Sequence, residues 1–226
     1  MDELIEITNR PLHEAVINED LELVIRLLKK YPDINEQDIY GKTALHYACN
    51  YGDEKIVLEL ISKSPNVNIQ DNTGKTALHY SYGEYNRSKN IVNVLIKNGA
   101  DIGIVDTNGR TLFHYIACEF CNSDIFNCLS SKYINIQDKY GKTALHYAAQ
   151  TNRIVVLKLI EKGINVNIQD SKGYTALHWA VAKNKPEIVK VLIENGIDIN
   201  IRDASGFTAL DWAVAKNYPQ IIKMLN

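Results

Sequence analysis

Histidine recurs at one fixed place in a peptide that this chain repeats. The octapeptide GKTALHYA occurs at 41–48 and again at 141–148, and GKTALHYS lies between them at 74–81. Because histidine serves as a general acid or base and as a metal ligand, such repetition is compatible with several copies of one catalytic or metal site. All six histidines follow a Leu or Phe of the repeat: His13, His46, His79, His114, His146 and His178.

The repetition nevertheless favours a structural role for these histidines. A catalytic histidine needs particular partners, whereas a histidine that recurs from repeat to repeat needs only a nearby backbone carbonyl or threonine hydroxyl. Every repeat can supply those groups. The sequence therefore predicts six structural histidines and no catalytic residue.

One segment combines a repeat histidine with cysteines. His114, Cys118 and Cys121 form a His-x-x-x-Cys-x-x-Cys pattern, and Cys128 follows in the same block. Four such ligands would suit a zinc ion. However, His114 is already a repeat histidine, and Cys128 takes a position that Leu holds in other repeats. Both observations favour buried free cysteines over metal ligands. A zinc-binding or enzymatic site near Cys118 to Cys128 is kept as the opposing alternative. No Gly-rich phosphate loop or nucleophile elbow is recognisable, and we expect neither an enzyme nor a cofactor nor a bound metal.

Glycines that begin the repeated peptide show the period of the chain. They are spaced by 33, 35, 32, 32 and 33 residues: Gly41, Gly74, Gly109, Gly141, Gly173 and Gly206. Each lies in an Asp-x-x-Gly-x-Thr sequence, in which Asp and Gly favour a turn and Thr can cap the helix that follows. Apolar pairs one turn apart, such as Ile56-Val57 and Leu60-Ile61, predict a second helix. The alternation in Val67-Asn68-Ile69 predicts an extended arm that leads to the next turn.

A unit of this size cannot bury its apolar face alone, so the copies must stack on one another. The sequence resembles the ankyrin-repeat family, whose Thr-Pro-Leu-His signature is matched as Thr-Ala-Leu-His at 43–46, 76–79, 143–146 and 175–178. The resemblance implies an all-α repeat solenoid of helix-turn-helix units with hairpin-like arms, in one domain over 1–226. About seven repeats are expected: 9–40, 41–73, 74–108, 109–140, 141–172, 173–205 and 206–226. It also implies that the repeat histidine bridges backbone groups of neighbouring hairpins.

Two repeats depart from the pattern. In the repeat at 109–140, Phe113 is bulkier than its counterparts and Asp124 replaces the first apolar residue of the outer helix, so we expect lower local stability there. The last repeat has Asp211 where the others have histidine.

The resemblance implies an elongated concave surface, lined by hairpin tips and inner-helix ends, as the site for a protein partner. The predicted contacts with this partner are residues that the repeat needs neither for its turn nor for its core: Tyr40, Lys42, Tyr51, Lys75, Tyr85, Arg110, Phe120, Tyr140, Lys142, Tyr174 and Phe207. The row after each glycine is basic in four repeats, which indicates a partner with an acidic stretch. A second row is either packing or binding surface: Tyr47, Tyr80, Tyr115, Tyr147, Trp179 and Trp212.

Composition narrows the class of partner and the location. The net charge of -2 and pI near 6.3 show no basic excess, so we expect no nucleic-acid binding. Four cysteines, three of them crowded together, favour a reducing compartment. The acidic N-terminus does not read as a signal peptide and no stretch resembles a membrane span, so we expect a cytoplasmic monomer without membrane contact.

The sequence therefore predicts a non-enzymatic protein-interaction scaffold. Its richness in Asn, Ile and Lys is typical of AT-rich genomes, which suggests a host-directed ankyrin protein of an intracellular microbe or virus, delivered into the host cytosol. The alternative role is a proteasome-assembly chaperone similar to gankyrin, since seven repeats would fill the chain.

Overall fold

The computed structural model describes residues 10–30, 33–82, 89–118 and 123–226. The chain divides into two compact units, unit 1 at residues 1–107 and unit 2 at residues 108–226. The described residues of both units fold into short helices joined by turns, and none of them forms a strand. Their longest helices have nine residues. None of these helices has the length of about 20 apolar residues that a bilayer crossing requires.

Unit 1 consists of paired helices in two layers. Its helices are α1 (Pro11–Ile17), α2 (Leu21–Leu27), α3 (Ala44–Tyr51), α4 (Glu54–Ile61), α5 (Ala77–Tyr80) and α6 (Lys89–Lys97). The inner helices α1, α3 and α5 pack in succession, and the outer helices α2, α4 and α6 pack in succession beside them. Val16, Ile56 and Leu60 are buried. Stacking of repeats therefore supplies the core that one repeat cannot form.

Unit 2 has the same two layers. Its helices are α7 (Leu112–Cys118), α8 (Ala144–Thr151), α9 (Arg153–Glu161), α10 (Ala176–Ala182), α11 (Pro186–Glu194), α12 (Ala209–Ala215) and α13 (Pro219–Leu225). Two 3₁₀ helices, Ser123–Cys128 and Ser131–Tyr133, lie between α7 and α8. The inner layer is α7, α8, α10 and α12, and the outer layer is Ser123–Cys128, α9, α11 and α13.

The outer element of the repeat at 109–140 differs from the others. Ser123–Cys128 is a 3₁₀ helix, whereas the other outer elements are α-helices of seven to nine residues. Ser, Asp, Asn and Cys make up four of its six residues, and all four types have lower helix propensity than Ala or Leu. Phe126 is still buried, with its ring 6.4 Å from that of Phe113.

Several outer helices begin at residues that the repeat pattern did not single out. The Asp20 carboxylate accepts the Leu23 N–H at the start of α2. Asp53 accepts two backbone N–H groups at 2.9 and 3.0 Å at the start of α4, and Asn152 accepts two at 3.0 and 3.3 Å at the start of α9. These side chains satisfy amides that a helix start leaves without an intrahelical partner. In α11 and α13 a proline occupies the first turn, where its missing N–H costs no helical hydrogen bond.

The arm after α4 contains a turn, so the extended segment predicted for Val67-Asn68-Ile69 is wrong. Val67 and Asn68 lie in the turn, with Val67 buried. The Asn68 side chain donates to the carbonyl of Gly99 at 2.9 Å and accepts the N–H of Asp101 at 2.8 Å. The alternation in the sequence therefore reflects the burial of Val67 and not a β-strand. This arm is joined to the next repeat by the side chain of Asn68.

Candidate functional site

The repeat histidines are hydrogen-bonded inside the protein. At His46, Nδ1 accepts the Thr43 backbone N–H at 3.0 Å and contacts the Thr43 hydroxyl at 2.8 Å. Since Nδ1 accepts this N–H, the ring proton is on Nε2, which donates to the carbonyl of Lys75 in the next repeat at 3.2 Å. The same contacts recur in unit 2 at His114, His146 and His178. Each of these imidazoles joins a helix start to the tip of the following repeat, where a tip is the turn from the aspartate to the residue after glycine, as in 71–75.

The first and last repeats keep only part of this arrangement. His13 donates to the carbonyl of Lys42 at 3.0 Å, but within the described residues its Nδ1 has no partner. Arg10 stands where the other repeats have threonine, and its side chain pairs with Glu36 instead. In the last repeat the Asp211 carboxylate accepts both the N–H and the hydroxyl of Thr208 at 2.8 Å. Asp211 thus replaces the cap that histidine makes, but it has no donor for a following repeat.

In five repeats a buried aspartate closes the tip and holds one ring of the aromatic row. Asp38 Oδ1 accepts the backbone N–H groups of Tyr40 and Lys42 at 2.9 Å, while Oδ2 accepts the Tyr47 hydroxyl at 2.6 Å. The same bond to the tip aspartate is made by Tyr80, Tyr147, Trp179 and Trp212. Burial, followed by the hydrogen bond to Asp38, raises the pKa of the Tyr47 phenol. The polar ends of these five rings are therefore used inside the fold, which supports packing as their role.

The residue after each glycine lies against this aromatic row. The Lys42 ammonium is 5.1 Å from the centroid of the Tyr47 ring and 4.7 Å from that of Tyr80 in the next repeat. In unit 2, the Lys142 ammonium is 5.3 Å from the centroid of Tyr147 and 3.8 Å from that of Trp179. Cations at these distances are attracted to the ring faces. The lysines are thereby held in place instead of extending freely into solvent.

Three further residues of that row also contact rings. The Lys75 ammonium is 5.2 Å from the Tyr80 centroid. The Arg110 guanidinium lies 4.9 Å from the Tyr115 centroid and donates to its hydroxyl at 3.2 Å. The ring of Tyr174 packs edge-on against Trp212, with centroids 4.8 Å apart. Tyr174 is therefore engaged in internal packing as well as being half-exposed.

The predicted partner contacts differ in exposure. In unit 1, Tyr40 is 45% exposed and Tyr51 is 38% exposed, and in unit 2, Tyr140 is 54% and Phe207 is 53% exposed. The others that the structure describes are half-buried: Lys42, Lys75, Arg110, Lys142 and Tyr174. Tyr85 and Phe120 lie outside the described residues. Each unit thus combines exposed aromatic rings with cations that are fixed on other rings.

The zinc alternative meets an obstacle at His114. Its Nδ1 accepts the Thr111 N–H at 3.1 Å and its Nε2 bonds the Lys142 carbonyl at 3.0 Å, so both ring nitrogens are in use. Cys118 is exposed at the end of α7, so the expectation of a buried cysteine is wrong at this position, while Cys121 lies outside the described residues. Among the residues that the structure describes, no group of three or more potential ligands is positioned to hold a metal. Zinc binding through His114 would require breaking either its bond to Thr111 or its bond to Lys142.

Three segments of the chain match the family model for ankyrin repeats: residues 12–106, 81–170 and 155–226. Together these segments span the chain from residue 12 to residue 226. The chain belongs to the ankyrin-repeat family. The resemblance inferred from the Thr-Ala-Leu-His peptides is confirmed.

A solved ankyrin-repeat structure is similar to this chain over most of its length. It is the ankyrin repeat domain of Bcl-3, described as a unique member of the IkappaB protein family. The TM-score is 0.83 at 25% sequence identity, and the match covers 96% of this chain and 97% of that chain. The comparison with curated proteins found no match. The predicted all-α ankyrin-repeat fold is thus confirmed, and ankyrin-repeat proteins are typically non-enzymatic interaction modules.

A row of glutamines links neighbouring ankyrin repeats and was missed in the sequence analysis. Gln70 donates from its amide to the carbonyl of Gly74 at 2.7 Å and to that of Val105 in the next repeat at 3.0 Å. Equivalent pairs of contacts are made by Gln37, Gln137 and Gln169. The signal was the Gln-Asp dipeptide that recurs before the tips.

Two exposed apolar residues near the tips were also missed in the sequence analysis. Ile39 is 66% exposed and Val105 is 37% exposed.

Burial determines the protonation of the ankyrin-repeat histidines. Desolvation lowers the pKa of His13, His46, His146 and His178 below the ordinary 6.5, although their bonds to backbone carbonyls act in the opposite direction. A second proton would place a donor on Nδ1 against the threonine N–H in three of them, His46, His146 and His178. The folded protein therefore holds these rings neutral.

The free energy of unfolding is expected to fall as the pH is lowered from 7.5 to 5. Because the folded-state pKa values lie below 6.5, the unfolded chain takes up protons first and is favoured below that pH. Each such histidine contributes up to about 1.4 kcal/mol per pH unit. Urea unfolding at several pH values measures how steeply the free energy of unfolding changes with pH. In His146→Gln this slope should correspond to the uptake of up to one proton fewer on unfolding. A flat profile between pH 7.5 and 5 would contradict the neutral-histidine assignment.

Proposed function

We propose that this chain is a non-enzymatic scaffold that binds a protein partner through the tip-side residues of its two units. The observation that carries the proposal is the pairing of exposed aromatic side chains with positionally fixed cations. Aromatic and Arg side chains supply most of the binding energy in many interfaces. The tip aspartates are buried and accept hydrogen bonds from their own tips, so the partly exposed cations beside them are the charged groups that a partner can contact.

In unit 1 the proposed surface contains Ile39 and Tyr40 at one tip, with Lys42 and Lys75 beside it. Ile39 and Tyr40 are exposed, while the two lysines are half-buried on the faces of tyrosine rings. Apolar contact area with adjacent fixed charge favours a partner segment that has apolar and acidic residues. Because the lysine heads are already positioned, less side-chain entropy is lost when that partner binds.

In unit 2 the proposed surface contains Tyr140 and Phe207 as exposed contacts and Arg110 and Lys142 as cations. The two aromatic side chains are each more than half exposed. Arg110 and Lys142 lie against the rings of Tyr115 and Trp179. This surface also favours an acidic partner, since positive groups increase the rate and specificity of association with acidic segments.

The cellular role that we propose is action on host proteins as a monomer in a host cytosol. Its basis is the richness in Asn, Ile and Lys, together with the binding surfaces above. A proteasome-assembly chaperone similar to gankyrin rests on repeat number alone and is placed second. Both roles use protein binding and neither needs a catalytic group.

Charge reversal at the tip-side cations tests the scaffold proposal. The quadruple variant Lys42→Glu, Lys75→Glu, Arg110→Glu and Lys142→Glu is expected to lose captured partners by about tenfold or more in pull-downs from lysates. The matched control changes four exposed outer-layer lysines instead: Lys55, Lys97, Lys190 and Lys223 to Glu. Both variants carry the same change in net charge, and circular dichroism checks that both are folded. A folded tip-side variant that keeps every partner would refute the proposal.

A further inference from the structure

In unit 2 a pocket of about 230 Å³ lies between the tip at 138–142 and the tip at 170–174. Tyr140 and Trp179 contribute aromatic rings to its lining, and Lys142 and Lys172 are its two basic lining residues. Tyr140 is 54% exposed and Lys172 is exposed, so the pocket is open to a partner.

The carboxylate in this pocket is already satisfied. Asp170 Oδ1 accepts the backbone N–H groups of Lys172 and Tyr174 at 2.9 and 3.0 Å, and Oδ2 accepts the indole N–H of Trp179 at 3.0 Å. Its residue is only 7% exposed. With Asp170 used in this way, the charged groups that remain available to a bound molecule are the two ammonium groups.

The arrangement selects an anion over a cation. Aromatic faces attract cationic ligands, but here the Lys142 ammonium already lies 3.8 Å from the centroid of Trp179 and 5.3 Å from that of Tyr147. A second cation would be repelled by Lys142 at the same ring faces. A carboxylate would instead gain charge-assisted hydrogen bonds from Lys142 and Lys172.

The size of the pocket selects a side chain over a whole small molecule. Sites for drug-sized ligands and cofactors usually measure about 300–1,000 Å³, and this pocket is smaller, at about 230 Å³. The exposed ring of Tyr140 beside it provides area for an apolar neighbour of the bound residue.

We propose that this pocket binds an aspartate or glutamate side chain of the partner, with an adjacent apolar or aromatic residue of the same segment lying on Tyr140. This inference rests on the proposed scaffold function and names the chemistry of one anchor point in unit 2. The partner segment is therefore acidic with an apolar residue next to an acidic one.

The two tryptophans make a direct test possible, because Trp179 lines the pocket and Trp212 does not. The probe is the peptide acetyl-EEFEE-amide, titrated into the ¹⁵N-labelled full chain while the two indole N–H resonances are followed by NMR. We expect a saturable shift of the Trp179 resonance and a smaller change at Trp212. The uncharged peptide acetyl-QQFQQ-amide is the matched control, and its affinity should be lower by about tenfold or more.

Two variants locate the binding on the pocket. Lys172→Met and Lys142→Met keep most of each side chain but remove its charge. Each variant should lower the affinity for acetyl-EEFEE-amide, measured at the Trp179 resonance, by about tenfold. No saturable shift at Trp179, an equal response to acetyl-QQFQQ-amide, or an unchanged response in both variants would overturn the pocket assignment. These results leave the pull-down experiment as a separate test of the scaffold, because that experiment also depends on cations of unit 1.

Discussion

Val181→Asp is expected to lower the free energy of unfolding by about 4 kcal/mol, whereas Val214→Asp is expected to change it by about 0.5 kcal/mol or less. The two valines occupy the same position of successive inner helices, α10 and α12. Val181 is fully buried at 0% exposure, while Val214 is 57% exposed. The helix α12 packs against α10 and α13, and among the described residues no further inner helix covers the side of α12 opposite α10.

The difference between these variants follows from desolvation. An aspartate at position 181 would be buried without a hydrogen-bond or ion-pair partner, either as an uncompensated charge or as a neutral acid. At position 214 the same carboxylate stays in water. Urea unfolding followed by the fluorescence of Trp179 and Trp212 measures both variants, since both reporters lie in unit 2. Similar losses in the two variants would mean that the face of α12 is covered in solution as fully as that of α10.

Much of this fold is predictable from the sequence because its determinants are local. The cap that joins Thr43 to His46 spans three residues, and it recurs wherever Thr-x-Leu-His recurs. The period of the glycines then fixes how often the unit repeats, and stacking follows from the size of the unit. The inner helices, the tips and the structural setting of the histidines could therefore be inferred without coordinates.

The environment of the candidate site could not be inferred in the same way. Lys142 lies on Trp179, and this contact depends on how two successive repeats pack. The sequence showed a row of lysines and a row of aromatic residues as separate patterns, and only the structure places one upon the other. The 3₁₀ helix Ser123–Cys128 was also missed, because the position of Asp124 indicated weakness but not a change of helix type.

Gly173→Ala is expected to lower the free energy of unfolding by about 2–4 kcal/mol, compared with about 1 kcal/mol for Gly206→Ala. Both glycines have positive φ, +76° and +86°, so alanine is strained at either position. A Cβ on Gly173 would lie 2.7 Å from the backbone nitrogen of Ala204 in the next tip, whereas a Cβ on Gly206 would meet nothing within 4 Å. The difference between the two variants therefore isolates the contact between successive tips.

This contact also affects the candidate site, because the Ala204 N–H donates to the carbonyl of Lys172 at 3.0 Å. Moving the tip away from an added methyl group would displace Lys172 and the backbone that positions Asp170 beneath Trp179. The unfolding of both variants can be followed through the two tryptophans, and the Trp179 indole resonance should shift in Gly173→Ala but stay in place in Gly206→Ala. Equal destabilisation of the two variants would show that positive φ alone requires these glycines, and that close tip packing does not hold the lysines in register with the aromatic row.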